Sequence, residues 1–431
     1  MRARSALPRP GQVAVLSMLL GAGALTTASP SSASSSLSDA QLAAMPAADL
    51  ASRLGPLRAT AGALDALGAR SFAATYTGVR IDANRARVDL LTTSVSDGRR
   101  LLAQAARSTG LDQHDVTVVP GAYSKVALDA AAERLARRSP AGTLSSVGPA
   151  PDGSGLDVGA GSAAALAAVP AVVSGPNAAV VPVTSRRVSL QRAKVYAVAV
   201  PALYSPDGWA AVKWHDTSPF IGGDVLTSSG NGACTAGLAA VRVSTGAPVM
   251  VSAGHCFPLG ANVYTGAGAT WAYGNRLVGN WVGKVTGRSQ TWDASLIEGT
   301  NDNADESDTT VWKPLTSAGY SYVGDYVCHS GARSASMGHA TPCGIKVTNS
   351  DLWFSIGGYW ARGVEGTDVN GWGSVNGDSG GTVFAVTTTS RQARGMVSSG
   401  GADGTVDQRR VDWVEAPDVF RAYGLRLNPK T

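Results

Sequence analysis

The sequence has few of the features that would place this protein in a membrane, on a nucleic acid or around a metal ion. One long apolar run occurs at residues 13–25 of the 431, and no second one follows. A membrane-spanning helix needs about 20 apolar residues, so we expect no stable membrane association. Only four cysteines and five histidines are present, and their spacing does not match a structural zinc site. We therefore expect no metal and no other cofactor.

Positive charge is also scarce where a nucleic-acid site would need it. The chain has 36 Lys and Arg against 31 Asp and Glu, a formal charge of +5. From Ile221 to the end there are 15 basic and 17 acidic residues, a charge of −2. The basic excess therefore lies in the first half, and we expect no nucleic-acid partner.

The first 33 residues have the order of a secretory signal peptide. Arg2, Arg4 and Arg9 precede the apolar run, and small residues follow it up to Ala33. We therefore expect a signal peptide at 1–33 and a secreted, extracellular product. All four cysteines lie in the C-terminal half, an even number suited to disulfides in an oxidising compartment.

The region 37–138 is predicted to be a small α+β unit. Alternating apolar residues flank a polar turn at 82–84, which is typical of a β-hairpin. Apolar residues at helical spacing predict one helix that Asp97 caps and Gly110 ends, and a second helix before Pro140.

The next segment, 139–220, is predicted to be a linker or a second N-terminal segment. Its first part is rich in Gly, Ala, Ser and Pro, which favours a linker. Short strands at 156–158 and 179–183 would instead make a second small unit.

Beyond Ile221 the pattern changes to short β-like runs separated by Gly, Asn and Ser, which favours an all-β barrel or sandwich. One helix is predicted near the end, because Pro417 and Asp418 suit a first turn and Gly424 suits the stop.

Two short motifs carry the chemistry. On its own, Gly377-Asp378-Ser379-Gly380-Gly381 would be an ordinary β-turn. Its glycines would also let the amides of Gly377 and Ser379 converge on an anionic oxygen, with Ser379 presented to solvent. Ser252-Ala253-Gly254-His255-Cys256 puts a histidine at the end of an apolar strand. A lone histidine is more often surface or core filler, so it is the pair of motifs that points to a nucleophile and its base.

Together, in the order His then Ser, the motifs resemble the chymotrypsin-like serine proteases, in particular the branch of the streptogrisins and alpha-lytic protease. The resemblance covers about 221–427 and implies an all-β fold of two antiparallel six-stranded barrels with a C-terminal helix. It implies a secreted, monomeric endopeptidase that hydrolyses protein or peptide substrates. The protease domain would be 221–431. The region from about Leu37 to Phe220 would be a pro-region that aids folding, inhibits the enzyme and is removed near Phe220 and Ile221; the alternative is a permanent accessory domain.

The resemblance also assigns roles to residues. Ser379 would be the nucleophile, His255 the general base, and the amides of Gly377 and Ser379 the oxyanion hole. Chain order in the family places an aspartate between the two motifs. Asp293, which opens an apolar strand, fits best, and it would orient His255. Four acidic residues of a strand-poor stretch compete on spacing: Asp302, Asp305, Glu306 and Asp308.

The disulfides and the specificity pocket follow from the same resemblance. It implies the bridges Cys234–Cys256 and Cys328–Cys343, and a structural role for Asp378 in the Gly377 turn. The family bridge beside the nucleophile is missing here, so the pocket is less well defined. The residues expected to line it are Gly373, Ser374, Ser398, Ser399, Gly400 and Gly401. No carboxylate is expected at its base, which disfavours Arg or Lys on the acyl side and favours apolar or aromatic residues.

Two other functions compete with an endopeptidase. A catalytically inactive secreted binding protein on the same fold remains an alternative, although inactive relatives would be expected to lose one of the three catalytic residues. An esterase of the α/β-hydrolase fold is excluded, because its histidine follows the nucleophile in sequence and His255 precedes Ser379.

Overall fold

A computed structural model describes residues 36–174, 180–188, 213, 216–228, 233–266, 278–299, 305–307, 312–339 and 341–428. The predicted signal peptide lies outside these residues. No helix within the described ranges is long and apolar enough to cross a membrane. Residues 36–188 are called the N-terminal region below, and residues 216–428 the barrel region.

The N-terminal region alternates helices and strands. Its helices are α1 (Asp39–Ala43), α2 (Ala47–Ser71), α3 (Val95–Thr109), α4 (Lys125–Arg138) and α5 (Ala163–Ala167), with a 3₁₀ turn at Gln113–Asp115. Its strands are β1 (Tyr76–Asp82), β2 (Arg87–Thr92), β3 (Val116–Pro120), β4 (Ser146–Pro149), β5 (Leu156–Ala160), β6 (Val172–Ser174) and β7 (Val180–Val188).

The barrel region is mostly strand. The strands are β8 (Val225–Ser228), β9 (Cys234–Thr235), β10 (Leu238–Arg242), β11 (Pro248–Ala253), β12 (Asn262–Gly266), β13 (Val278–Ser289), β14 (Ala294–Gly299), β15 (Asp305–Ser307), β16 (Trp312–Ala318), β17 (Tyr326–Ser330), β18 (Cys343–Ile356), β19 (Tyr359–Asp368), β20 (Thr382–Val386), β21 (Arg391–Gly400), β22 (Arg410–Glu415) and β23 (Leu425–Leu427). The helices are α6 (Ala332–Ser336), α7 (Ala416–Tyr423) and a 3₁₀ turn at Val406–Arg409.

The α+β unit forms as its sequence pattern predicts. β1 and β2 make an antiparallel hairpin, and β3 adds to β2 in parallel. Helix α3 ends at Gly110, whose φ of +73° suits glycine. Its N-cap is Ser94 rather than Asp97, because the Ser94 hydroxyl accepts a hydrogen bond from the Asp97 amide.

The linker interpretation of 139–220 is wrong for 139–174 and 180–188, which form strands and a helix. Strands form at both expected places, as β5 and β7, but they belong to the same sheet as β18 and do not make a separate small unit. β4 pairs with β5, β5 pairs in parallel with β7, and α4 packs on this sheet through an apolar cluster. The small residues serve close packing here. A Cβ on Gly159 would lie 2.5 Å from the Ser146 hydroxyl, so a glycine-rich composition does not mean a loose chain.

The barrel region has the predicted all-β architecture, with one eight-stranded sheet and one closed ring of six strands. The first follows the order β10-β11-β14-β13-β12-β8, with β23 and β9 at its ends. The second closes on itself, since β17, β18, β19, β22, β21 and β20 each pair with the next and β20 returns to β17. Helix α7 follows β22 and ends at Gly424 with a φ of +63°, as predicted.

The N-terminal region extends the second barrel. β4 pairs antiparallel with the outer half of β18, where Trp353 lies opposite Val147. β5, β7 and β6 continue the same sheet. In the hairpin of β18 and β19, β18 therefore pairs with a strand of the N-terminal region, whereas β19 pairs with β22 of the barrel.

Candidate active site

His255 and Asp293 are held together by two hydrogen bonds. The His255 Nδ1 lies 2.9 Å from Asp293 Oδ2, and the His255 backbone amide donates to Asp293 Oδ1 at 2.8 Å. Asp293 is fully buried, whereas 13% of the His255 side chain is exposed. A carboxylate at Nδ1 favours the tautomer in which Nδ1 carries the proton and Nε2 can accept one. This arrangement suits a general base.

Strand pairing explains why these two residues meet. β11 and β14 are antiparallel neighbours, and Ala253 at the end of β11 lies opposite Ala294 at the start of β14. His255 follows the first strand and Asp293 precedes the second. The Gly254 amide donates to the Asp293 carbonyl at 2.8 Å. Asp293 has a φ of +33°, which a short polar residue tolerates better than a branched one.

The four acidic competitors have no described contact with His255. The side chains of Asp302 and Asp308, and those of Asp305 and Glu306 on β15, lie outside the described residues. Asp293 alone supplies a carboxylate to His255 within the described part of the chain.

The structure forms both disulfides, Cys234–Cys256 and Cys328–Cys343. The first ties the histidine loop to β9. Cys234, His255 and Cys256 are also close enough to resemble a metal-binding group. Their sulfurs are joined to each other, however, and a metal site needs thiolates, so the cluster does not fit a metal in this state.

The loop of Ser379 is fixed by Asp378 beneath it. The buried Asp378 carboxylate accepts hydrogen bonds from the Val375 amide at 2.9 Å and from the Ser334 amide at 2.8 Å. Gly377 has a φ of +102°, which an L side chain rarely adopts. Within the described residues, neither the Gly377 nor the Ser379 amide donates a hydrogen bond. Both donors remain open for an anionic oxygen.

The nucleophile candidate lies beside the histidine loop but is not exposed. The Ser379 carbonyl accepts from the Thr235 amide at 2.8 Å and lies 3.9 Å from the Cys256 sulfur. Ser379 is only 3% exposed, so the expectation that it is presented to solvent is wrong for this form of the chain. No hydrogen bond joins these two described side chains, Ser379 and His255. Such bonds commonly tighten only when substrate binds.

The predicted pocket residues lie on either side of residues 408–410. The amides of Gly373 and Ser374 donate to the Gln408 carbonyl at 3.3 and 3.4 Å, and the Gly401 amide donates to the Arg410 carbonyl at 3.0 Å. Ser398, Ser399 and Gly400 form the end of β21, which pairs with β22. All six are buried. Beneath Gly373, the buried His329 ring places Nε2 2.6 Å from the Gly373 carbonyl oxygen.

Sequence analysis missed several charged residues beside this strand. Asp412 lies opposite Ser399 on β22, and Glu365 lies opposite Asp412 on β19; both are buried. Arg410 lies 3.6 Å from Glu365 and donates to the Gly400 carbonyl at 3.2 Å. From the N-terminal region, Arg187 also pairs with Glu365. Glu365 therefore has cationic partners from both regions in the full-length chain.

A tyrosine at the catalytic aspartate was missed as well. Tyr359 is the first residue of β19, and its hydroxyl donates to Asp293 Oδ1 at 2.6 Å. Arg288, whose guanidinium also donates to the Gly254 carbonyl, lies close to the same hydroxyl. In the sequence, the pair Gly357-Gly358 indicates a hairpin turn just before Tyr359. It does not indicate that the Tyr359 side chain contacts Asp293.

The predicted junction at Phe220 and Ile221 is buried. Phe220 is 2% exposed and packs in the core of the first barrel. The Ile221 amide donates to Asp216 Oδ2 at 3.0 Å. Burial raises the pKa of Asp216 to about 6, and it raises the pKa of the neighbouring, fully buried Asp224 well above its usual range.

No family model matches the chain. The sequence is 31% identical to serine protease 2 of Streptomyces fradiae over 180 residues, which are 42% of this chain and 93% of the relative. Two solved structures resemble about half of the chain. One is a glutamic acid specific serine protease that uses a histidine triad in substrate binding, at 22% identity, covering 48% of this chain and 100% of that one with a TM-score of 0.39. The other is alpha-lytic protease homolog N4, at 21% identity, 48% and 98% coverage and a TM-score of 0.37.

Proposed function

The chain belongs to the chymotrypsin-like serine proteases, in the streptogrisin branch, and on that premise we propose that Ser379, His255 and Asp293 form its catalytic triad. In this mechanism His255 Nε2 takes the proton of Ser379 as the hydroxyl attacks a peptide carbonyl. The Gly377 and Ser379 amides hold the oxyanion. His255 then gives its proton to the amine that leaves as the C–N bond breaks, and a water molecule deprotonated by His255 releases the acyl group from Ser379. The observation that carries this assignment is the 2.9 Å contact of His255 Nδ1 with the buried Asp293.

The triad is tested by removing the nucleophile. Ser379→Ala should lower kcat by about six decades, because triad residues act as a unit, and should abolish labelling by a fluorophosphonate. Ser317→Ala, at an exposed serine of β16, is the matched control and should keep full activity. If the Ser379 variant keeps more than about a tenth of the kcat, the nucleophile is another residue. If the wild-type chain is neither labelled nor active after removal of its N-terminal region, it is an inactive binding protein on this fold.

The proposed substrates are proteins and peptides with an apolar or aromatic residue on the acyl side of the cleaved bond. In support, the six residues that flank the predicted pocket are Gly and Ser, so none of them supplies a charge that would pair with a charged substrate side chain. The nearby Glu365 keeps a basic neighbour within the barrel region, because Arg410 lies 3.6 Å from it. A peptide-library profile tests this preference, and a profile dominated by Arg, Lys or Glu would rule it out.

The N-terminal region is proposed to act as a pro-region that assists folding and keeps the enzyme latent until it is removed. Its apolar core is continuous with that of the barrel region, since Leu54 and Leu64 of α2 share a cluster with Tyr322, Phe384 and other barrel residues. A preformed surface of this kind lowers the entropy cost of non-local strand pairing.

A buried arginine is the main polar anchor of the two regions. The Arg58 Nε on α2 donates to both oxygens of Asp325, at 2.9 and 3.1 Å. Its two other nitrogens donate to the Val386 and Tyr326 carbonyls at 2.8 and 2.9 Å. Arg394 of β21 binds the same carboxylate at 3.1 Å. The guanidinium thus fills a socket built entirely by the barrel region.

The remaining parts of the proposal follow from the sequence. The order of the first 33 residues supports secretion into the extracellular space. Apart from substrates, the partner proposed is the chain's own N-terminal region, and the protease is proposed to act as a monomer.

A further inference from the structure

We propose that Tyr359 is a positioning residue of the catalytic triad, which fixes Asp293 by a hydrogen bond from outside the first barrel. This inference rests on the triad proposed above. It assigns to the second barrel a direct role in orienting the carboxylate, whose other hydrogen bonds among the described residues are with His255.

The hydrogen bond itself is short and buried on the acceptor side. The Tyr359 hydroxyl lies 2.6 Å from Asp293 Oδ1, the oxygen that also accepts the His255 amide. The other oxygen, Oδ2, faces the imidazole. Two donors on Oδ1 therefore hold the carboxylate so that Oδ2 points at Nδ1. Without the tyrosine, Oδ1 would keep only the His255 amide as a donor, and the carboxylate could rotate more freely about its Cβ–Cγ bond.

The tyrosine is placed by a rigid turn. Gly357 and Gly358 both have positive φ, at +52° and +106°, and connect Ile356 to Tyr359 as a two-residue hairpin turn. The hairpin is fastened near the triad a second time, because the Arg362 amide donates to the Thr291 carbonyl at 2.8 Å. Both contacts lie within the barrel region, so they are retained when the N-terminal region leaves.

Charge explains what the hydroxyl does to the histidine. A neutral donor on Oδ1 withdraws part of the carboxylate's charge, and Arg288 near the hydroxyl strengthens the donor. Burial and the Asp293 charge raise the pKa of Tyr359, so the phenol stays protonated and can donate. Without the hydroxyl, Asp293 would attract the imidazolium more strongly and hold it in a less defined orientation.

The experiment compares two tyrosines that each donate to a carboxylate. Tyr359→Phe removes the hydroxyl at Asp293, and Tyr320→Phe removes a hydroxyl that donates to Asp418 at 2.9 Å on helix α7. Both substitutions are made in the full-length precursor, which is then processed to the active enzyme. The concentration of active sites is measured by titration with a fluorophosphonate. We expect Tyr359→Phe to lower kcat about tenfold, to leave KM within about twofold, and to move the acid limb of the kcat/KM profile to higher pH. Tyr320→Phe should match the wild type.

A double-mutant cycle separates positioning from a general structural role. In an Asp293→Ala background, which has no acceptor for the hydroxyl, Tyr359→Phe should have no further effect on kcat. The proposal is overturned if Tyr359→Phe keeps kcat within about twofold, if only KM changes, if the acid limb does not move, or if its effect persists in the Ala background. Ser379→Ala is measured in parallel: activity in that variant would refute the triad, and not the role of Tyr359 in particular.

Discussion

The N-terminal region and the barrel region are stabilised in different ways. The barrel region has two disulfides, a closed six-stranded sheet and its own apolar clusters. The N-terminal region has no cysteine, and much of its apolar surface is buried against the barrels. If the N-terminal region is removed as proposed, the barrel region keeps these features, whereas the N-terminal region loses the barrel contacts that bury its apolar residues. This contrast fits a pro-region that is used once.

The two regions also differ in net charge, and the ion pairs between them fix how they dock. The N-terminal side is basic and the barrel side slightly acidic. Arg58, Lys125 and Arg187 each pair with a barrel carboxylate. In two further pairs the N-terminal region supplies the carboxylate and the barrel region the cation: Asp129 with Arg362 at 3.3 Å, and Asp39 with Lys346 at 2.9 Å. Alternating signs of this kind favour one register of docking over others.

The largest effect is expected when the two regions are separated before folding. Residues 221–431 refolded alone should recover roughly 100-fold less activity than the same chain refolded with the N-terminal region added separately, because its strand pairings are non-local. Activity per phosphonate-titrated site distinguishes yield from turnover. Equal yields with and without the N-terminal region would show that the barrels fold unaided.

The Arg58 socket tests the comparison at one residue. In the intact Ser379→Ala precursor, Arg58→Leu should lower the free energy of unfolding by about 3 kcal/mol, because it leaves a buried carboxylate short of one cation. Arg58→Lys should cost less but not recover the wild-type value, since an ammonium cannot replace the planar fork.

The matched control is Arg137→Ala, at a position where 72% of the side chain is exposed and pairs with Glu133 inside α4. Its effect should stay below about 1 kcal/mol. Urea unfolding followed by tryptophan fluorescence measures all three variants. An Arg58→Leu effect no larger than that of the control would show that apolar contacts alone hold the regions together.

Local motifs made the barrels and the candidate triad predictable. Each of His255, Asp293 and Ser379 lies in a short run whose strand and turn residues can be recognised without a structure. Tyr359 and Arg58 could not be found in this way, because their partners lie 66 and 267 residues away. The linker interpretation of 139–188 failed for a related reason. Glycine and alanine are common both in loose segments and in closely packed sheets, and only tertiary contacts tell them apart.

A smaller effect is expected at the junction between the regions. The peptide bond after Phe220 is buried, so this segment must open to solvent before the bond can be cleaved. Asp216 has a folded-state pKa of about 6, raised by burial from a usual 3.8, and it accepts the Ile221 amide. A carboxyl group with a raised pKa stabilises the closed form while it is protonated. That contribution is complete below about pH 4 and is lost as the pH rises through about 6. Opening near Phe220 should therefore become easier between pH 5 and pH 7.

We expect added mature enzyme to cut the Ser379→Ala precursor several-fold faster at pH 7 than at pH 5, after division by its rate on a small peptide at each pH. Dividing by the rate on the small peptide removes the pH dependence of the enzyme itself, so any remaining pH dependence comes from the precursor. Asp216→Asn keeps an acceptor for the Ile221 amide but cannot ionise, and its normalised rate should be low and nearly independent of pH. A wild-type ratio that stays flat, or the same rise in the Asn variant, would mean that the junction opens without titration of Asp216. Sequencing the new N-terminus in both variants shows whether the cut lies at this bond, because a cut well before Asp216 would not need the buried segment to open.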